Sequence, residues 1–145
     1  METWNRSPSL LAISGALAVG AAAFHFCVGF PAVGPQTPDW LFSGPDSSAN
    51  FIGWHLFRAS SWEMPPGSLR AMGHPVGTSV ALTVSIPIVA IVLKVFHDVL
   101  PATFQYFGAW LLLCFLLQGL FGALLIGTVT DNIPLRVLGA GLLIL

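Results

Sequence analysis

Three long stretches of this 145-residue chain contain no aspartate, glutamate, lysine or arginine, and they limit what the chain can fold into. The stretches cover residues 7–38, 71–93 and 99–130. Each exceeds the roughly 20 residues that a helix needs to cross a bilayer. Only 8% of all residues are charged, which is about a third of the share in a typical soluble domain. The sequence therefore predicts an all-α integral membrane protein.

The apolar runs predict three full transmembrane helices plus a truncated fourth. The full spans are expected over residues 10–30, 76–93 and 104–127. Pro87 lies inside the second span, where a proline removes one backbone hydrogen bond and kinks the helix. A fourth apolar run starts at Val137 and stops after nine residues, which is too short to cross a bilayer. The chain is therefore expected to be the N-terminal fragment of a larger protein.

Residues 34–75 are interpreted as a folded cap within a single transmembrane domain, residues 1–145. The first part of this loop is rich in proline, glycine, serine and aspartate, which is loop chemistry. Ser47 or Ser48 is expected to cap a short helix that runs through Arg58. Because tryptophan and arginine are typical of membrane interfaces, this helix is predicted to lie along the membrane surface.

Lysine and arginine residues near the span ends bear on the orientation of the chain. Arg6 before the first span and Lys94 after the second favour the inside for both ends, whereas Arg58 and Arg70 in the loop favour the opposite arrangement. On balance we expect the loop to be extracytoplasmic. The net charge of −1 excludes a nucleic-acid partner, because there is no basic surface to neutralise phosphates.

The ionisable side chains of the loop are open to two interpretations. In one, they are simply solvated; in the other, the six large aromatic residues of the loop pack it into a cap that holds an active site. His25, inside the first span, is expected to pack or to form a hydrogen bond, the alternative being a ligand of haem or of a chlorophyll magnesium. Gln118 in the third span is expected to form a hydrogen bond between helices, the alternative being a substrate contact.

Three blocks of sequence carry a resemblance to a known family: FIGWHLFRASSWEMPPG, HPVGTSVALTVSIPIVAIVLK and FQYFGAWLLLCFLLQGLFGALLIG. Together they resemble the N-terminal part of an uncharacterised family of bacterial multi-pass membrane proteins. That family is similar to the type-C glycosyltransferases, which use polyprenyl-phosphate sugars. The resemblance covers roughly residues 38–130. It implies a multi-pass protein of the inner (cytoplasmic) membrane, with a lipid-linked sugar and other transmembrane helices as partners.

The resemblance also implies roles for individual residues. A carboxylate would deprotonate the acceptor hydroxyl, and Asp46 is the first candidate, with Asp39 second. Arg58 is the candidate partner of the lipid phosphate, and a divalent cation would also stabilise the negative charge of that phosphate. The remaining substrate-binding candidates are Trp54, His55 and Arg70.

Two positions depart from what the resemblance leads us to expect. Asn50 stands where we would expect a histidine, and Val84 stands where we would expect an aspartate. Loss of those polar groups would weaken or abolish activity in this chain. The main alternative is a small non-catalytic transmembrane subunit that contacts pigment, haem or lipid through His25, and a third interpretation is a transporter-like protein that uses the kink at Pro87.

Overall fold

The computed structural model of the protein describes residues 9–70, 72–83 and 85–144, and the described chain is mostly helical. Arg6 and Val84, on which two expectations above depend, lie outside the described residues. In chain order the helices and strands are α1 (Leu10–Cys27), α2 (Pro45–Ala59), β1 (Ser68–Leu69), β2 (Thr78–Ser79), α3 (Pro87–Lys94), α4 (Phe107–Gly127) and α5 (Ile133–Ile144).

The chain divides into two compact units. Met1–Gly34 together with Tyr106–Leu145 is the helical unit, which contains α1, α4 and α5. Pro35–Gln105 is the inserted unit, which contains α2, α3 and a two-stranded antiparallel sheet of β1 and β2. The predicted loop of residues 34–75 is thus part of a longer folded segment.

Two helices of the described chain, α1 and α4, are long and apolar enough to cross a membrane. They contain 18 and 21 residues, which corresponds to about 27 and 32 Å of helix. Only 22% and 17% of their most apolar windows are buried within the protein, whereas the core helix of a soluble protein is mostly buried. With 12 residues, α5 reaches only about 18 Å.

Glycines allow the helices of the helical unit to approach one another closely. A Cβ atom at Gly20 of α1 would lie 2.6 Å from the carbonyl oxygen of Phe115 in α4. A Cβ atom at Gly119 of α4 would lie 2.6 Å from the carbonyl oxygen of Ala16 in α1. Contact between helix backbones requires such small residues. The buried centre of the unit is correspondingly a cluster of alanines, Ala16, Ala123 and Ala140.

The core of the inserted unit is built on α2. Trp54 and Phe57 are only 0% and 1% exposed, and Nε1 of Trp54 donates a hydrogen bond to the carbonyl oxygen of Phe104 at 3.0 Å. Gly53 lies on the same side of the helix, where a Cβ atom would come within 2.7 Å of Cβ of Thr83. A side chain at position 53 would therefore separate α2 from the turn that precedes α3.

The prediction of a full span over residues 76–93 is wrong. This stretch forms β2, a 3-10 helix (Val80–Leu82) and only then α3, which begins at Pro87 and has eight residues. Proline fits the first turn of a helix because its missing N–H has no partner there in any case, and it disfavours the α conformation in the preceding residue. Ile86 adopts φ 47°. Pro87 therefore starts a helix and does not kink one, so three full spans are not supported.

Two further boundaries differ from the prediction. The short helix of the loop is present as α2, but it begins at Pro45, and neither predicted serine caps it. Ser47 instead donates its hydroxyl hydrogen to the carbonyl oxygen of Gly44 at 3.1 Å. The last apolar run becomes helical at Ile133, before the predicted start at Val137. The N–H of Leu135 donates to Oδ1 of Asn132 at 3.1 Å, a side-chain cap that favours a helix start at this polar turn.

Candidate functional site

The two predicted catalytic acids lie at the starts of neighbouring helical segments in the inserted unit. Asp39 is in the first turn of a 3-10 helix (Asp39–Ser43), and Asp46 is in the first turn of α2. Both residues are exposed. A carboxylate is favoured in the first turn of a helix because the unpaired N–H groups there carry partial positive charge. Both carboxylates thus have a local structural reason for their positions and remain accessible to a solute.

A row of three aromatic rings runs along the same two segments. The rings of Phe42 and Phe51 meet edge to face, with centroids 5.3 Å apart. The centroid of Phe51 lies 4.2 Å from that of His55, one helical turn further along α2. We call Phe42, Phe51 and His55 the aromatic row. Phe42 is 53% exposed, so the row has one end open to a ligand.

Two buried ring nitrogens in these segments lack a hydrogen-bond partner within the described part of the chain, namely Nε2 of His55 and Nε1 of Trp40. Burial, and to a smaller extent the positive charge of Arg58, lowers the pKa of His55. A neutral imidazole offers one donor and one acceptor nitrogen. An unpaired buried polar atom is costly, so an ordered water at these nitrogens would be stabilising.

Arg58 is held by the backbone of the inserted unit. Its Nη1 atom donates to the carbonyl oxygen of Pro101 at 2.5 Å, and Nη2 donates to the carbonyl oxygens of His97, at 2.9 Å, and Leu100. The guanidinium group therefore joins the end of α2 to the turns that follow α3. Twelve residues of helix separate Arg58 from Asp46, which is about 18 Å along the axis.

The remaining predicted binding residues are dispersed. Trp54 is fully buried and belongs to the core. The side chain of Arg70 is 80% exposed, and its Nε atom lies 3.2 Å from Oε2 of Glu63. The structure thus places Arg58 close enough to His55 for its positive charge to lower the pKa of the imidazole. Trp54, by contrast, is a core residue with no surface open to a substrate. The catalytic and binding roles assigned from the sequence stay predictions.

Lys94 is a polar centre that the sequence analysis treated only as an orientation signal. It is 1% exposed, and its ammonium group donates to Oγ of Ser60 at 2.9 Å and to the carbonyl oxygen of Ser61 at 3.2 Å. The same group lies 4.1 Å from the ring centroid of Phe57 and 4.9 Å from that of Trp62. Burial lowers the pKa of Lys94, against a smaller opposing effect of the Glu63 carboxylate.

A second polar centre joins α2 to the turn before α3. Oγ of Ser85 donates to the backbone oxygen of Asn50 at 3.1 Å, and Oγ1 of Thr83 lies 2.9 Å from Oγ of Ser85. Oδ1 of Asn50 is buried and has no hydrogen-bond partner among the described residues. Asn50 and Val84 are the two positions at which the resemblance leads us to expect another residue. Asn50 thus contacts Ser85, which directly follows Val84 in the sequence. The sequence feature that indicates this polar centre is the pair of hydroxyl residues, Thr83 and Ser85, inside an otherwise apolar run.

His25 and Gln118, the two polar residues expected inside spans, are both exposed on their helices. The imidazole of His25 stacks on the ring of Phe30 at 5.3 Å between centroids. The hydrogen bond between helices expected of Gln118 is not present among the described residues, because the side chain lies on the outer surface of α4. His25 thus packs locally, against a ring just beyond the end of α1.

Within the described ranges, no group of three or more histidine, cysteine, aspartate or glutamate side chains is arranged to hold a metal ion. No curated protein and no solved structure matches the chain. A family described as a domain of unknown function does match it, over residues 17–145. Because this match covers nearly the whole sequence, the chain belongs to the DUF6311 family.

Proposed function

We propose that this protein is a glycosyltransferase-like membrane protein whose inserted unit handles a lipid-linked sugar. The observation that carries the proposal is the combination of Asp39 and Asp46, two exposed carboxylates, with the aromatic row on the same helical segments. Aromatic faces pack on the apolar faces of sugar rings, and carboxylates accept hydrogen bonds from sugar hydroxyls. The resemblance described above supplies the polyprenyl-phosphate donor and the multi-pass inner-membrane location.

In the proposed reaction Asp46 accepts the proton of the acceptor hydroxyl. The acceptor oxygen forms a bond to the anomeric carbon of the donor sugar, and the lipid phosphate leaves with the electron pair of the broken bond. Asp39 is the second candidate for the base. His55 would contribute its ring, which extends the aromatic row, to the surface that packs against the sugar.

The leaving phosphate needs a positive partner. Arg70 suits this role better than Arg58, because its side chain is 80% exposed whereas the guanidinium of Arg58 is bonded to three backbone carbonyls. A divalent cation bound together with the substrate would also stabilise the negative charge of the leaving phosphate. Asn50 in place of the expected histidine is the reason to anticipate weak turnover in this chain.

The test uses the full chain in lipid nanodiscs with a radiolabelled polyprenyl-phosphate monosaccharide. Donor binding and sugar transfer are measured for the parent protein, for Asp46→Asn, for Asp39→Asn and for the matched control Asp98→Asn, whose carboxylate is also highly exposed. We expect transfer to be lost in Asp46→Asn, with donor binding nearly unchanged, and to be retained in the control. Failure of the parent protein to bind any lipid-linked sugar would reject the proposal.

A non-catalytic transmembrane subunit is the second candidate, and the exposed imidazole of His25 is the observation that favours it. An exposed histidine on an apolar helix can meet a pigment, a haem or a lipid headgroup that approaches from outside the chain. Absorbance of the purified protein discriminates the two candidates. A stoichiometric Soret or chlorophyll band that disappears in His25→Gln would favour the subunit.

A further inference from the structure

Helix α3 and the turns after it expose a stripe of apolar side chains. Five residues form this stripe, and each is more than half exposed: Ile88, Val92, Val95, Phe96 and Val99. Positions 88, 92 and 95 share one face of an α-helix because they are spaced by four and three residues. The backbone N–H of Val99 donates to the carbonyl oxygen of Phe96 at 3.1 Å, and residues three apart in such a turn also share a face. We call these five residues the 88–99 stripe.

The polarity of α3 is the reverse of that expected in water, whereas Asp98, in the turns after it, is 88% exposed. A helix on the surface of a soluble protein turns its charged residues outward and its apolar residues inward. Here Lys94 is 1% exposed and is bound by Ser60 and Ser61 inside the unit. The valines and the isoleucine of the stripe face outward. The outer face of α3 thus offers no charge that a polar partner could pair with.

The backbone at the end of the segment is also satisfied from inside. The last carbonyl groups of a helical segment have no partner within it, and water usually provides one. In this protein Arg58 donates to the carbonyl oxygens of His97, Leu100 and Pro101. Internal satisfaction of backbone groups is what a segment in hydrocarbon requires, since lipid tails offer no hydrogen bonds.

We propose that the 88–99 stripe is buried in the hydrocarbon of a lipid bilayer as an element that enters the membrane without crossing it. The eight residues of α3 are only about 12 Å long, less than half of a hydrocarbon core of about 30 Å. The eight residues from Val99 to the start of α4 at Phe107 span at most about 30 Å when fully extended. The stripe is therefore tied by a short connection to a helix that is long and apolar enough to cross a membrane. The proposal is independent of sugar transfer, since it rests on exposure, burial and hydrogen bonding alone.

The test measures the depth of two stripe positions in the full chain reconstituted into liposomes. Cys27 and Cys114 are replaced by alanine, and a nitroxide is attached to Val92→Cys or to Val95→Cys. Asp98→Cys is the matched control, because its side chain is on the same segment and is 88% exposed. Power-saturation electron paramagnetic resonance then compares collisions with oxygen, which dissolves in lipid, and with a water-soluble nickel chelate.

We expect the collision ratio of oxygen to nickel at positions 92 and 95 to exceed that at position 98 several-fold. A low oxygen-to-nickel ratio at positions 92, 95 and 98 alike would place the stripe in water and overturn the proposal. Protection from both reagents would mean that another protein or a second copy covers the stripe, which also overturns it. A second experiment needs no variant. The unsubstituted protein is crosslinked to a lipid with a photoactivatable acyl chain, and mass spectrometry locates the crosslinks, which we expect within residues 88–99.

Discussion

Arg58 connects two parts of the inserted unit through a single guanidinium group. Its planar fork of donors reaches three backbone carbonyls, of which, within the described chain, only that of Pro101 also accepts a backbone hydrogen bond, from the N–H of Phe104 at 3.1 Å. An ammonium group cannot reproduce this geometry, because it is a point charge on a flexible stem. At the residue scale, stability therefore depends on Arg58 more than on any charge at the surface of the unit.

Arg58→Ala is expected to lower the free energy of unfolding by about 1–2 kcal/mol, since the partly buried carbonyls of His97 and Leu100 are left unpaired and carry a desolvation cost. Arg58→Lys should recover only part of the loss. The control is Arg70→Ala, which removes an ion pair whose arginine is 80% exposed and which is worth less than about 1 kcal/mol. Denaturation in detergent, followed by tryptophan fluorescence, measures all three. Equal losses in Arg58→Ala and Arg70→Ala would contradict a structural role for Arg58.

His55 provides a prediction on pH. Because burial and the charge of Arg58 lower its pKa below the usual 6.5, the unfolded chain binds more protons than the folded chain below pH 6.5. Stability should therefore be full above pH 6.5 and fall as the pH is lowered through the pKa of the folded state. We expect the melting temperature to drop less in His55→Gln than in the parent protein between pH 7.5 and pH 5.5. Parallel curves would show that other groups cause the acid sensitivity.

At the scale of elements, glycine decides how closely α1 and α4 pack. Gly20→Ala would force a methyl group within 2.6 Å of the carbonyl oxygen of Phe115, and overpacking of this kind costs about 1–3 kcal/mol. Gly141→Ala in α5 is the matched control, because its Cβ atom would meet Cγ1 of Val19 at an ordinary 3.4 Å. We expect a clear fall in melting temperature for Gly20→Ala alone. A comparable fall in both variants would mean that close approach is not what position 20 requires.

At the scale of the whole molecule, two apolar helices flank one folded unit along the chain. If α1 and α4 both cross the membrane, the inserted unit is confined to one side, which we propose is the extracytoplasmic side. A cysteine at exposed Ala49 should then react with a membrane-impermeant maleimide in intact cells, in a background with Cys27 and Cys114 replaced by alanine. A cysteine at exposed Asn132, after α4, should react only after permeabilisation. Identical labelling of the two positions would show that α4 does not cross.

The sequence by itself determined α1 and α4, because predominantly apolar runs of 18 and 21 residues favour one long helix each under any packing. It also placed Asp39 and Asp46 in accessible positions, because loop chemistry and a helix start are local signals. For residues 76–93 a count of charges did not register that a proline restricts the residue before it, so the start of α3 at Pro87 became visible only in the tertiary structure. The tertiary structure alone decided where Arg58 and Lys94 point. Their partners lie 33 to 43 residues away in the chain, and no short-range pattern carries contacts of that separation.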